Sequence, residues 1–167
     1  MPKLTEIDGK TPEFMKAIGT FVFNPKGFLL IAGSNGNGKT FAAKAIYDYF
    51  WHPHSDNKFW NQADLKIKWQ DTIAGAKTLS FILHDIVQAP LLVLDDIGTS
   101  RPTEAFMEFL YIISDKRNDL KDTHGTIITT NLNSQSMRDM FGDAFVSRVA
   151  SGICVRNDLP DRRPNLF

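Results

Sequence analysis

The sequence predicts an α/β fold, a mainly parallel sheet layered between helices, on three observations. Short apolar runs alternate with longer segments of helical period, the order from which crossover units are built. The first of these runs leads through a glycine-rich turn into a helical pattern. Eight prolines and eleven glycines are scattered as punctuation and pool into no linker. One domain is therefore expected over residues 1–167, with 1–26 as a lead-in and 157–167 as a C-terminal tail.

The elements follow in order. GFLLIA, Gly27 to Ala32, reads as the first strand, and Lys39 to Phe50 as the helix after the glycine-rich turn. A second strand is expected over Lys58 to Gln62, and a mostly helical segment over Ala63 to Gln88 with a break near Gly75. Leu91 to Leu94, entered through Pro90, is the clearest buried strand. Thr103 to Asp119 carries Phe106, Phe109, Leu110 and Ile113 at i, i+3, i+4, i+7, the stripe of a core-facing helix. The β-branched run Thr126 to Thr130 is strand-like. Ser134 is placed to cap a short helix, Asp143 to Ala150 to form another, and Ile153 to Arg156 to form the last strand.

Composition narrows the class further. At 167 residues and 43% hydrophobic content, the chain can fill one ordinary core but not comfortably two. Nineteen Lys plus Arg balance nineteen Asp plus Glu, so an anionic partner must be met by a local patch. The one cysteine, Cys154, excludes an internal disulfide and a cysteine metal cluster. The polar start MPKLTEIDGK is no secretory signal, and runs such as Phe28 to Ala32 fall far short of the ~20 residues of a membrane span. A cytoplasmic protein with no membrane partner is expected.

Residues Gly33 to Thr40, GSNGNGKT, match G-x-x-x-x-G-K-[ST] at every fixed position, between an apolar strand and a helix. Gly33, Gly36 and Gly38 allow successive N–H groups to converge on phosphate oxygens. Lys39 brings positive charge to the β- and γ-phosphates, and Thr40 offers a hydroxyl to Mg²⁺. The helix start adds its unpaired N–H groups. With Ser34, Asn35, Asn37 and the following Phe41, these residues make the candidate nucleotide-contact set. An accidental glycine-rich turn is the bland alternative, and the agreement of motif with context weighs against it.

Downstream, LLVLDDIG puts Asp95 and Asp96 at the carboxyl edge of a buried strand, where ligands of open α/β sheets collect. One carboxylate there can hold the hydrated Mg²⁺ of a triphosphate, and the second can orient and polarise the attacking water. Alone, such a pair is as often a solvated turn; after a phosphate loop it is persuasive. TIITTNL ends in Thr130 and Asn131. If its strand neighbours that of Asp95, Asn131 points into the same crevice; otherwise it only turns the chain.

GSNGNGKT, LLVLDDIG and TIITTNL, in that order and followed by FVSRVAS, resemble the AAA+ ATPases of the DnaC/DnaI helicase-loader and IstB-like group, over roughly Gly27 to Val155. The resemblance implies a three-layer P-loop NTPase with an AAA+ core, ATP and Mg²⁺ as cofactors, and hydrolysis. It implies that Lys39 binds phosphate, Asp95 holds Mg²⁺, Asp96 activates water and Asn131 is a sensor. Many AAA+ proteins have Glu where this chain has Asp96, which bears on the speed of hydrolysis. The resemblance further implies that Arg148 reaches the neighbouring subunit's nucleotide, a contact able to raise turnover by ~10³ or more in an oligomer. Arg163, with Arg162 beside it, is the nearest match to a second nucleotide-sensing arginine. Full-length loaders of the group this chain resembles carry an N-terminal region that grips the helicase, whereas only about thirty residues precede the phosphate loop here; little chain follows Arg156, so the helical lid is expected to be reduced or absent.

The implied partners are single-stranded DNA, a replicative DNA helicase and further copies of the chain. An IstB-like transposition helper shares the same core. A small P-loop kinase suits the length, but the cations between Asp96 and Asn131 are only Arg101, Lys116, Arg117 and Lys121, short of a basic lid. A nucleotide switch with negligible hydrolysis is the remaining alternative. Between Trp51 and Trp69, Lys58, Phe59, Trp60, Lys66 and Lys68 interleave charge with aromatics, as in surfaces that stack single strands. The stronger competing reading makes Phe59 and Trp60 strand core and the lysines a solvated face. His52 and His54 lack further metal-type ligands and read as a loop.

Overall fold

The computed structural model describes residues 2–7, 11–75 and 79–157. Among them, five strands, β1 (Gly27–Ala32), β2 (Lys58–Asn61), β3 (Leu91–Ile97), β4 (Gly125–Thr130) and β5 (Ile153–Arg156), pair in parallel in the order β2-β3-β4-β1-β5. The helices are α1 (Pro12–Phe23), α2 (Lys39–Phe50), α3 (Gln62–Ala74), α4 (Leu79–Val87), α5 (Glu104–Asp119), α6 (Ser134–Phe141) and α7 (Asp143–Val149). The central strands are apolar without alternation because both of their faces are covered. Leu29, Ile31, Leu91, Val93 and Ile127 pack with Phe14, Ile18 and Phe21 of α1 and Ala42, Ala43 and Ile46 of α2. The intervening Phe28, Leu30, Leu92, Leu94 and Ile128 pack with α3, α4, α5 and α7. The result is a three-layer α/β arrangement, a parallel five-stranded sheet between two layers of helices.

Gly27–Ala32, Lys39–Phe50 and Ile153–Arg156 lie where the sequence puts them, and α3 ends at Ala74 with Gly75 as its C-cap. Three of the boundaries that shift are these. β2 stops at Asn61, whose side chain accepts from the Asp64 N–H and so starts α3 one residue earlier. β3 continues through both acids to Ile97. Asn133, not Ser134, caps α6, its side chain accepting from the Ser136 N–H at 2.8 Å.

The lead-in is a correction of another kind. Residues 12–23 form α1, started by the Thr11 side chain, which accepts from the Phe14 N–H, with Pro12 in the first turn. Phe14, Ile18 and Phe21 are buried, and α1 packs against β5. Asn157, assigned to the tail, is buried and extends the sheet: its N–H donates to the Ala32 carbonyl at 2.8 Å. Residues 158–167, where the helical lid is expected to be reduced or absent and where the candidates Arg162 and Arg163 fall, lie outside the described residues.

At the opposite end of the sheet, Arg117 of α5 is almost fully buried. Its Nε donates to Thr126 Oγ1 at 2.8 Å, Nη1 to the Val87 and Ala89 carbonyls at 2.8 and 2.6 Å, and Nη2 to the Gly125 carbonyl. The guanidinium thus ties α5 to the end of α4 and the start of β4, and burial pushes its pKa down to about 10. It is unavailable for the basic lid of the kinase alternative. Arg117→Met, which leaves three buried carbonyls without their donor, is expected to lower the unfolding free energy by about 3 kcal/mol in a denaturant titration, and Arg117→Lys by less.

Candidate nucleotide site

The phosphate loop leaves β1 at Gly33 and enters α2 at Lys39. Gly33 (φ +146°) passes so close to the Asn157 carbonyl that a Cβ would collide with it. Gly38, in the left-handed region (φ +86°), starts α2 and has no side chain of its own to cap the amides at this helix end. The loop is braced from behind by Asn37, which is fully buried. Its Nδ2 donates to the Asn157 carbonyl, and Asn157 Nδ2 donates back to the Asn37 carbonyl at 2.7 Å. Lys39, also buried, donates to the Ser34 carbonyl at 2.7 Å and lies 3.4 Å from Asn37 Oδ1.

The acids come from a break in strand register. Leu94 pairs with Ile128 but Ile97 with Thr130, so Asp95 and Asp96 together face Thr129. Asp96 takes φ +56° at this bulge, and Ile97 is shifted onto the face that Leu92 and Leu94 occupy. Thr129 Oγ1 accepts from the Asp96 N–H at 2.8 Å and donates to Asp95 Oδ1 at 2.6 Å. Asp95 is held inside, 3% exposed, whereas Asp96 lines the cleft.

Asn35, Gly36, Gly38, Lys39, Thr40, Asp96, Thr99 and Asn131 enclose a cleft of about 550 Å³. Because β4 lies between β1 and β3, Asn131 at its end stands between loop and acids. Its Oδ1 is buried and has no hydrogen-bond partner among the described residues. An orphaned buried acceptor in a polar cleft suits a ligand that supplies the missing donor. Phe41 is exposed on the first turn of α2 and is not among the residues lining the cleft.

Three residues that support the site were missed in the sequence. Thr129 positions both acids and Asn157 the loop. Gln62 accepts from the Gly98 N–H at 2.6 Å and donates to the Ser100 carbonyl at 2.8 Å, holding the segment that carries Thr99. Each acts across 33 to 120 residues of chain, so no local pattern signals it.

Arg148 lies apart from the cleft. Its Nε donates to Asp115 Oδ1 at 2.8 Å, its Nη2 to the Tyr111 hydroxyl at 2.9 Å, and its guanidinium carbon sits 4.6 Å from the Tyr111 ring centroid. The interleaved aromatics do not share a surface. Trp69 is in the core, its ring centroid 5.5 Å from that of Phe106; Trp60 and Phe59 pack against opposite faces of the sheet, and Lys58 pairs with Asp85 at 3.0 Å. Among the described residues no three His, Cys, Asp or Glu side chains converge as a metal site, and no helix is long and apolar enough to cross a membrane.

Burial pushes the Asp95 carboxyl above its ordinary pKa; the Thr129 hydrogen bond opposes this, the Asp96 charge adds to it, and Thr40 and Lys39 oppose it again. A carboxylate kept in a desolvated place and hydrogen-bonded by the Thr40 hydroxyl is a donor set suited to a hard divalent cation.

Fold and site together are those of a P-loop NTPase with an AAA+ core, and the chain is similar to known proteins of that kind. No family model matches the chain. It is 26% identical over 142 residues to the replicative helicase loader DnaC of Buchnera aphidicola subsp. Acyrthosiphon pisum (strain APS), an alignment that takes in 84% of this chain and 54% of the relative. A crystal structure of the DnaC helicase loader superposes with a TM-score of 0.77 at 25% identity, over 94% of this chain and 97% of that one. The replication initiator DnaA bound to AMPPCP and single-stranded DNA shares the fold, with a TM-score of 0.83 at 19% identity over 95% of this chain and 50% of that one. The chain is thus similar in sequence and in fold to DnaC helicase loaders, and it spans about half the length of the curated relatives it matches.

Because its folded-state pKa is raised, Asp95 opposes folding once pH exceeds the ordinary carboxylate value near ~4, and the penalty grows until pH passes the folded value. Asp95→Asn is therefore expected to raise the melting temperature of the nucleotide-free protein at pH 7. The gain should shrink to nothing as the pH of the scan falls below ~4.

Proposed function

We propose that the chain binds and hydrolyses ATP with Mg²⁺, in a homo-oligomer on single-stranded DNA, and thereby helps load a replicative DNA helicase in the cytoplasm. The observation that carries the reading is the meeting of Lys39, Asp96 and Asn131 around one cleft, in a chain similar to a helicase loader.

The loop amides from Gly33 to Thr40 and the Lys39 ammonium take the β- and γ-phosphates, Lys39 exchanging the Ser34 carbonyl for phosphate oxygen. Thr40 and Asp95 would hold the cation, which supplies neutralisation of charge on the phosphates when bound. Asp96 orients water for in-line attack on the γ-phosphorus and accepts its proton as the bond to the bridging oxygen breaks. Asn131 presents Oδ1 to the water and Nδ2 to the γ-phosphate. Arg148 exchanges Asp115 and Tyr111 for the phosphate bound by a neighbouring copy.

Lys39→Ala is expected to weaken ATP binding at least 100-fold by titration calorimetry. Arg148→Ala should keep wild-type affinity and lose ~10³-fold in steady-state turnover. Equal loss of binding in both would show that Arg148 acts within its own chain. Turnover measured with and without single-stranded DNA is expected to rise with DNA and with protein concentration. A protein that stays monomeric and indifferent to DNA contradicts the oligomeric reading.

A further inference from the structure

We propose that Asn37 and Asn157 form a latch that holds the phosphate loop in its anion-receiving shape, making Asn157, at the far end of the sheet in sequence, a positioning residue for nucleotide binding. The inference rests on the nucleotide reading of the cleft and adds a residue that no phosphate-loop motif contains.

Both amides are buried, Asn37 completely and Asn157 at 1% exposure, so their hydrogen bonds are not exchanged with solvent. The pair is reciprocal. Asn37 Nδ2 donates to the Asn157 carbonyl and Asn157 Nδ2 to the Asn37 carbonyl, 120 residues apart in sequence. A third bond, from the Asn157 N–H to the Ala32 carbonyl at 2.8 Å, carries the β1–β5 ladder one residue past Arg156, to the point where the loop begins. Gly33, with no side chain to obstruct, lets the Asn157 carbonyl approach closely.

The latch reaches the phosphate ligands through Asn37. With Nδ2 committed to Asn157, the Asn37 amide plane is fixed and its Oδ1 stands 3.4 Å from the Lys39 ammonium. With the Asn37 carbonyl held by Asn157 Nδ2, the peptide leading into Gly38 is fixed as well, and so is the amide entering α2. Binding is strengthened when the receiving amides are already aimed, because the ligand does not have to order them. Among the described residues β5 pairs with β1 alone, so its end is braced by few other strand contacts. The order of the loop is thereby linked to the placement of Asn157 at the end of β5.

Hydrogen–deuterium exchange of the full chain without nucleotide tests the latch directly. In Asn157→Ala, amides of residues 33–40 are expected to exchange ~10-fold faster while those of β3 and α5 keep their rates. The affinity of the same variant for Mg·ATP is expected to fall ~10-fold by titration calorimetry. Asn37→Ala, which removes the opposite hydrogen bond, is expected to give the same local pattern. Unchanged exchange over residues 33–40, acceleration spread evenly through the chain, or faster loop exchange with unaltered ATP affinity overturns the proposal. Failure of the wild-type chain to bind ATP at all is a separate result, fatal to the nucleotide reading, and the exchange pattern still decides whether the latch exists.

Discussion

One hydroxyl, that of Thr129, sets the geometry on which the site depends. It accepts from the Asp96 N–H and donates to Asp95 Oδ1, so a single atom of β4 spans two successive residues of β3. That arrangement is the bulge seen from its chemistry. In an unbroken ladder the two acids would point to opposite faces of the sheet; with one residue extra, Asp95 turns inward toward Thr40 while Asp96 is lifted to the cleft. The bulge also bears on why the second acid is Asp. At φ +56° an L-residue is tolerated best when its side chain is short and polar, and the longer Glu common in AAA+ proteins is less at ease there.

Much of the fold was legible because the information is local. An apolar run covered on both faces, a helical stripe and a glycine-rich turn each announce themselves within a few residues, and β1, α2 and β5 lie where those patterns put them. The lead-in helix was legible too but unread: Thr11 and Pro12 start it, and Phe14, Ile18 and Phe21 repeat at helical spacing. The motifs supplied Lys39, Thr40, Asp96 and Asn131, and the structure brings all four to one cleft.

What stayed hidden is the support behind these residues. Thr129 read only as a β-branched strand residue, Gln62 as the end of a strand, and Asn157 as the first residue of a tail. Each acts through a partner on another strand or loop, and a strand's register belongs to two segments, so neither sequence alone contains it. The tryptophan-rich stretch illustrates the converse. Charge and aromatics alternate along the chain from Trp51 to Trp69, yet folding sends Trp69 into the core and Phe59 and Trp60 to opposite faces. Arg148 is a third case: its local pairing with Asp115 and Tyr111 accounts for it structurally, and only an assembled oligomer would give it a phosphate.

The account is tested most directly by a crystal structure of the chain with Mg²⁺ and a non-hydrolysable ATP analogue. It predicts the triphosphate along residues 33–40, the cation between Thr40 and Asp95, and the terminal phosphate flanked by Asp96 and Asn131. A nucleotide bound elsewhere on the fold, or a cleft still empty at saturating analogue, would contradict it.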